Sequence, residues 1–243
     1  MKLLAIISLV VIALRDIASL APARPGAEAR VSSGEVAPAF NGAEHRDVSD
    51  AAETRRRLRE EAGGTYIGDV LRVRDSAIVR WPNASEEPVR IWIRGSSTVR
   101  DWSPALVERA RAAFKAWEDT GIPIRFEFVA DSADADAHLT WIDRFADPVG
   151  GRAISGLTRW GVDDRSRIVD ASITIAIHRA SGGALTGAAV EAMALHEVGH
   201  LLGLDHCTDD GSVMAPVVQV RSLSPADRAT VRLLYTLPVG TLK

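Results

Sequence analysis

Cysteine is almost absent from this chain of 243 residues, which has one, Cys207. A single cysteine forms no disulfide within the chain, so the sequence excludes a small fold that depends on internal disulfides. We expect Cys207 to be a small packed side chain.

An excess of charge of one sign is also missing. There are 29 lysines and arginines against 32 aspartates and glutamates, with a formal net charge of −3. The balance gives no indication of nucleic-acid binding, and the chain has no long acidic run typical of a disordered tail. Its length fits one globular domain of moderate size with extra segments.

No apolar run is long enough to cross a bilayer, which takes about 20 residues. The run at 3–14 (LLAIISLVVIAL) has twelve residues and follows Lys2. It is typical of the apolar part of a secretory signal, and the small residues at 21–23 predict cleavage after Ala23. We therefore expect residues 1–23 to be a signal peptide, the mature protein to be secreted or periplasmic, and no stable membrane insertion after cleavage. An uncleaved membrane anchor is the alternative.

The next part of the chain resembles a pro-segment or linker that is partly disordered, and we assign residues 24–75 to it. Residues 50–62 (DAAETRRRLREEA) predict a short charged helix that ends at Gly63. Alternation over 71–81 predicts one or two short strands.

Residues 76–238 have the patterning of a folded domain. Alternating apolar residues predict strands over 89–93, 124–128, 137–142, 153–160 and 168–177. Helical spacing predicts helices from the cap Ser103-Pro104 to Gly121, over 186–202, and from the cap Ser224-Pro225 to Tyr235. This order of strands and helices predicts an α/β layer arrangement.

Histidine is scarce, yet three of the six histidines fall within the eleven residues 196–206. His196 and His200 are four apart on a predicted helix, so both imidazoles project from one face. Two imidazoles at this spacing can bind one zinc ion. Glu197 is turned about 100° away and borders the same cleft, where a carboxylate can take a proton from water.

A catalytic zinc site has three protein ligands and one open position, and His206 is the candidate third ligand. On a continued helix His206 would lie about 9 Å beyond His200, so the chain must turn back. Gly203 is where it can turn, because glycine accepts positive φ without a Cβ penalty. Three histidines packed for structural reasons are the alternative.

The stretch HEVGHLLGLDH at 196–206 resembles the extended zinc motif of the metzincin metallopeptidases. Met214, in SVMAP, resembles their Met-turn, and only seven residues separate it from His206. This short spacing, the GLDH run and the final helix are similar to the matrixin branch.

The resemblance implies that His196, His200 and His206 bind one catalytic zinc and that Glu197 is the general base. Met214 would form an apolar floor below the metal, and 76–238 would be the catalytic domain. The implied fold is a twisted, mixed five-stranded sheet with one antiparallel edge strand, two large helices and a C-terminal helix after the Met-turn.

The chain departs from animal matrixins in two respects. No cysteine precedes Cys207, so their propeptide cysteine over the zinc is absent. Their second, structural zinc has no matching histidine set here, since only His138 and His178 lie before the motif in this domain. We expect these two to be solvated or locally hydrogen-bonded. Calcium is conceivable at Asp163, Asp164 and Asp170, although a solvated acidic turn is the preferred interpretation.

The implied function is that of a secreted zinc-dependent endopeptidase. Its partners would be polypeptide substrates, bound in extended conformation along an edge strand near 154–160, and we expect a monomer. A peptidase of another metzincin branch and a non-catalytic, secreted zinc-binding module remain as alternatives.

Overall fold

The computed structural model describes residues 53–58, 60–74, 77–83, 87–146 and 154–241, so the predicted signal peptide lies outside the described residues. Residues 53–58 and 60–61 are helical, as the charged segment predicts. The other helices are α1 (Ile67–Val73), α2 (Ala105–Glu118), α3 (Gly187–Leu201) and α4 (Pro225–Thr236). The strands are β1 (Ala77–Ile78), β2 (Val89–Ile93), β3 (Phe126–Phe128), β4 (Ala137–Ile142), β5 (Gly156–Val162), β6 (Ile168–Ala176) and β7 (Gly240–Thr241).

Five of these strands form one sheet in the order β3-β2-β4-β6-β5. Strands β3, β2, β4 and β6 are parallel, and β5 runs antiparallel to β6 at one edge. This confirms the predicted mixed sheet with one antiparallel edge strand. Strands β1 and β7 form a separate antiparallel pair that the sequence did not indicate.

Helix α3 lies in the interior of the domain. It begins after Thr186, whose side chain accepts a hydrogen bond from the backbone N–H of Ala189, and it packs against α2, β5 and β6. The Trp117 indole of α2 donates to the Leu195 carbonyl oxygen of α3 at 2.7 Å. All residues at 192–201 are buried, so the histidine face of α3 is enclosed as fully as its apolar face.

The predicted cap of α2 is wrong. Pro104, not Ser103, is the N-cap residue, and no side chain caps this helix end. Pro104 already has helical dihedrals, with φ −56° and ψ −26°. The first turn is closed by the backbone instead, since Ser103 and Pro104 carbonyl oxygens accept from Leu106 and Val107. At α4 the predicted cap is confirmed, because Ser224 and Asp227 form a capping box.

The predicted strand over 71–81 is wrong in its first part, where residues 71–73 belong to helix α1. Tyr66, Ile67 and Val70 recur at helical spacing and are buried, and this contact outweighs the local alternation. In the described part of the chain, no helix combines the length and apolar character needed to cross a membrane.

The sheet's centre should dominate the stability of the fold. Leu139 lies on β4, the middle strand, and is fully buried. We expect Leu139→Ala to lower the free energy of unfolding by about 2–5 kcal/mol, because it leaves a cavity in the core. Val169→Ala on β6, where the side chain is 42% exposed, is the matched control and should cost far less. Equal losses in urea unfolding would contradict this placement of the core.

Candidate metal centre

Helix α3 brings two imidazoles together. The ring centroids of His196 and His200 lie 4.6 Å apart, and their Nε2 atoms are separated by 2.8 Å. Both side chains are completely buried. The predicted four-residue spacing thus places both rings on the same side of the helix.

The chain reverses after Leu202, as the sequence predicts. Gly203 has a φ of +98°, and a Cβ at this position would clash with the carbonyl oxygen of Val79. After this turn the His206 ring lies 4.9 Å from the His200 ring and 5.3 Å from the His196 ring. Only glycine meets both demands, the positive φ and the close approach of the segment before β2.

The hydrogen bonds of the two helical histidines assign their protons. Nδ1 of His196 lies 2.5 Å from the Val213 carbonyl oxygen, and Nδ1 of His200 lies 3.1 Å from that of Leu204. A carbonyl oxygen can only accept, so each Nδ1 carries the hydrogen and donates. Both Nε2 atoms are then left with lone pairs that face each other, an arrangement that a shared cation makes favourable.

The surroundings also keep these imidazoles neutral. Burial and the neighbouring His206 together lower the pKa of His196 to about 3, although the hydrogen bond with the Val213 carbonyl oxygen opposes this shift. Burial, together with His196 and His206, places the pKa of His200 well below its usual value. A metal binds the neutral imidazole, so the buried setting favours ligation over protonation.

The three histidines fit a zinc ion by their chemistry. Their ligand atoms all lie within 4.8 Å of one another, and no other group of three or more histidine, cysteine or acidic side chains in the described ranges has this proximity. With zinc–nitrogen bonds of about 2.0–2.1 Å, small side-chain adjustments bring all three onto one ion. Three imidazoles leave a fourth position of a tetrahedral ion open.

Met214 lies beneath the site. It is fully buried, and its sulfur packs against Gly199, next to His200 on α3. The Met214 backbone is tied to the segment that follows His206, because its carbonyl oxygen accepts from the N–H of Cys207 at 3.1 Å. The floor role of Met214 remains a prediction, since these contacts place it against α3 beside His200.

Asp227 holds the turn around Met214, a role that the sequence reasoning missed. Its carboxylate accepts hydrogen bonds from the Ser212 hydroxyl (2.5 Å), the Val213 backbone N–H (3.1 Å) and the Tyr66 hydroxyl (3.0 Å). The Ser224–Asp227 capping pattern predicts only the start of α4. The contacts across the fold carry no local sequence signal.

The Glu197 carboxylate lies between α3 and the edge strand β5. Oε2 of Glu197 lies 2.5 Å from the Thr158 hydroxyl. Oε1 of Glu197 is buried and has no hydrogen-bond partner. Space for the carboxylate comes from Gly156, where a Cβ would clash with Oε1. Burial raises the pKa of Glu197 to about 8, and the Thr158 hydrogen bond opposes this shift. No sequence pattern singles out Gly156 or Thr158.

The remaining candidates have structural roles. His138 contacts the Ser132 carbonyl oxygen at 2.9 Å, and buried His178 lies 2.8 Å from carboxylate oxygens of both Asp101 and Asp143. Local hydrogen bonding, one of the two expected settings, is thus confirmed for both. Cys207 is packed, as expected, and Tyr235 is buried as well.

The acidic turn at 163–170 has ordinary turn contacts. Asp163 accepts from the backbone N–H groups of Arg165 and Arg167 and pairs with the Arg167 guanidinium. The Asp163 carboxylate is therefore occupied by donors from within the turn.

Comparisons with known proteins show what this chain is similar to. A family model described as matrixin matches residues 96–236. Metalloendoproteinase 1-MMP of Arabidopsis thaliana is 29% identical over 147 residues, which cover 51% of this chain and 36% of that protein. The chain thus spans well under two thirds of this relative's length. The crystal structure of myroilysin aligns over 66% of this chain and 92% of its own, with 12% identity and a TM-score of 0.41.

The purified protein should bind one zinc ion per chain, and His206→Ala should lower its zinc affinity strongly because only two ligands remain. His138→Ala is the matched control and should leave the affinity unchanged, since His138 contacts the Ser132 carbonyl oxygen instead. Competition with a zinc-binding dye measures both. Equal affinities of the two variants would refute the three-histidine site.

Proposed function

This chain belongs to the matrixin family, and on that basis we propose that it is a zinc-dependent endopeptidase that hydrolyses peptide bonds. The family model covers more than half of the chain and includes all three histidines, Glu197 and Met214. Proteolysis by this protein, its substrates and the roles of single residues are parts of the proposal.

One observation supports the proposal best: three imidazoles converge, and a carboxylate lies on the same helix next to one of them. The three histidine ligand atoms lie within 4.8 Å of one another, and Glu197 follows His196 directly. A purely structural zinc site is closed by four protein ligands and needs no neighbouring base. Three ligands with an adjacent carboxylate are typical of a hydrolytic centre.

The chemistry divides between metal and protein. Zinc bound at this site supplies Lewis acidity, which polarises a carbonyl oxygen and acidifies water. Glu197 accepts the proton of the attacking water and then passes it to the leaving amine nitrogen. The Val213 and Leu204 carbonyl oxygens keep the Nδ1 hydrogens of His196 and His200 in place, which reserves both Nε2 atoms for the metal.

The edge strand β5 offers a binding surface for the substrate. It pairs with β6 on one side only and carries Gly156 and Thr158 against Glu197. An extended peptide can add to such an edge through main-chain hydrogen bonds, which brings a scissile bond close to α3. Strand addition of this kind needs only the substrate's main chain and no free terminus, so we propose cleavage at internal peptide bonds of the substrate.

We further propose that the protein acts outside the cytoplasm, on the basis of the apolar segment 3–14 and the small residues before position 24. Sequencing the N-terminus of the exported protein tests this part. An N-terminus at residue 24 or later supports it, and an intact Met1 on exported protein contradicts signal cleavage.

Replacing the proposed base should abolish turnover while the metal site survives. We expect Glu197→Ala to bind zinc normally and to lower kcat on casein by at least about 100-fold. Glu191→Ala on the same helix is the control, because Glu191 pairs with Arg109 outside the site. Undiminished cleavage by Glu197→Ala would overturn the assignment of the base, and loss of zinc would point to a structural role.

Thr158 should orient the Glu197 carboxylate. Thr158→Val removes the hydroxyl but keeps the shape, so we expect kcat to fall about tenfold with little change in KM. Thr158→Ser should restore most of the rate. Thr120→Val, which removes a buried hydroxyl that donates to the Trp117 carbonyl oxygen, is the control. A similar loss in both valine variants would show that Thr158 acts only through stability.

A further inference from the structure

A buried arginine from outside the region that the family model matches reaches the metal-binding turn. Arg74 follows helix α1 and precedes the matched residues 96–236. Its side chain is only 6% exposed, as is that of its partner Asp205, which directly precedes His206. A buried charge is costly unless it is paired and hydrogen-bonded, so this pair requires an explanation.

The Arg74 guanidinium contacts the turn at two points. Nη2 donates to the Leu204 carbonyl oxygen at 3.1 Å, and Nε lies 3.6 Å from Oδ2 of Asp205. On its other sides, Nη1 donates to the Val79 carbonyl oxygen at 3.2 Å, and the Trp160 ring centroid lies 5.1 Å from the guanidinium carbon. The planar group is therefore fixed by elements on both sides of the turn.

The two groups that Arg74 contacts, the Leu204 carbonyl oxygen and the Asp205 carboxylate, each accept a hydrogen bond from a proposed zinc ligand as well. The Leu204 oxygen that accepts from Arg74 accepts from Nδ1 of His200 as well, at 3.1 Å. The other carboxylate oxygen of Asp205 accepts from the backbone N–H of His206 at 2.8 Å. Arg74 thus shares a hydrogen-bond acceptor with His200, and it pairs with the carboxylate that accepts from the His206 backbone.

We propose that Arg74 is a positioning residue for the metal-binding turn 203–206, and that the active enzyme retains the segment 66–74. This inference rests on the zinc site of the proposed function. The other end of the segment is anchored independently, because the Tyr66 backbone N–H donates to the Thr230 hydroxyl and the Tyr66 hydroxyl donates to Asp227. A maturation cut, where one occurs, falls before Tyr66 and not at residue 75.

Zinc affinity of the full-length protein tests this role directly, since it does not depend on turnover. We expect Arg74→Met, which keeps much of the side-chain length but removes the charge and the donors, to weaken zinc binding about 10- to 100-fold. Arg80→Met is the matched control. Arg80 is also a buried arginine before β2, but its guanidinium donates to the carbonyl oxygens of Leu237 and Trp81. Competition with a zinc-binding dye, on protein whose folding is verified by circular dichroism, should show a change of less than about threefold for this control.

The outcomes separate this inference from the proposed function. Wild-type protein that binds no zinc would refute the metal site itself. Normal zinc binding by Arg74→Met, or an equal weakening in Arg80→Met, would refute the positioning role alone. Where Arg74→Met does not fold, Arg74→Lys decides: one ammonium cannot reproduce the guanidinium fork, so reduced zinc affinity is expected and an unchanged affinity overturns the inference.

The retained segment has its own test. The N-terminus of the most active form of the exported protein should lie at or before Tyr66. An active form that begins after Arg74 and binds zinc as tightly as the longer form would overturn the proposal.

Discussion

The reversal of the chain at Gly203 is the constraint on which the site depends. Helix α3 can present two imidazoles on one face, but the third arrives only if the backbone turns sharply after Leu202. Gly203 provides a φ of +98° at a place where the Val79 carbonyl oxygen leaves no room for a Cβ. The turn and the segment at Val79 therefore pack directly against each other, and a side chain at position 203 would force one of them to move.

Burial sets the protonation state of the histidines at this site. The helical histidines are enclosed and neutral, and their Nδ1 hydrogens are committed to the carbonyl oxygens of Val213 and Leu204. Each of these two carbonyl groups lies in a segment that is hydrogen-bonded to a distant part of the chain. The Val213 segment is held by Asp227 of α4, and the Leu204 segment by Arg74. Elements far apart in the sequence thus fix the direction of both Nε2 atoms, which would lower the cost of ordering them around the proposed zinc ion.

The sequence predicted what local spacing encodes. The four-residue interval between His196 and His200, the glycine at 203 and the alternation in β2 and β4 all led to correct placements. Prediction failed where a distant contact decides. Residues 71–73 became helical because Ile67 and Val70 are buried in the fold. Leu204 lies 130 positions from Arg74, and Glu197 lies 39 positions from Thr158, and no spacing rule indicates such pairs.

The central claim, that three imidazoles share one zinc ion and leave a position for water, is tested most directly by X-ray absorption spectroscopy of the zinc-loaded protein. We predict three imidazole nitrogens at about 2.0–2.1 Å and one oxygen ligand from water, with no sulfur. A zinc–sulfur distance of about 2.3 Å would place Cys207 on the metal, and two or fewer imidazoles would mean that the turn at Gly203 does not deliver its histidine. Either result would contradict the account.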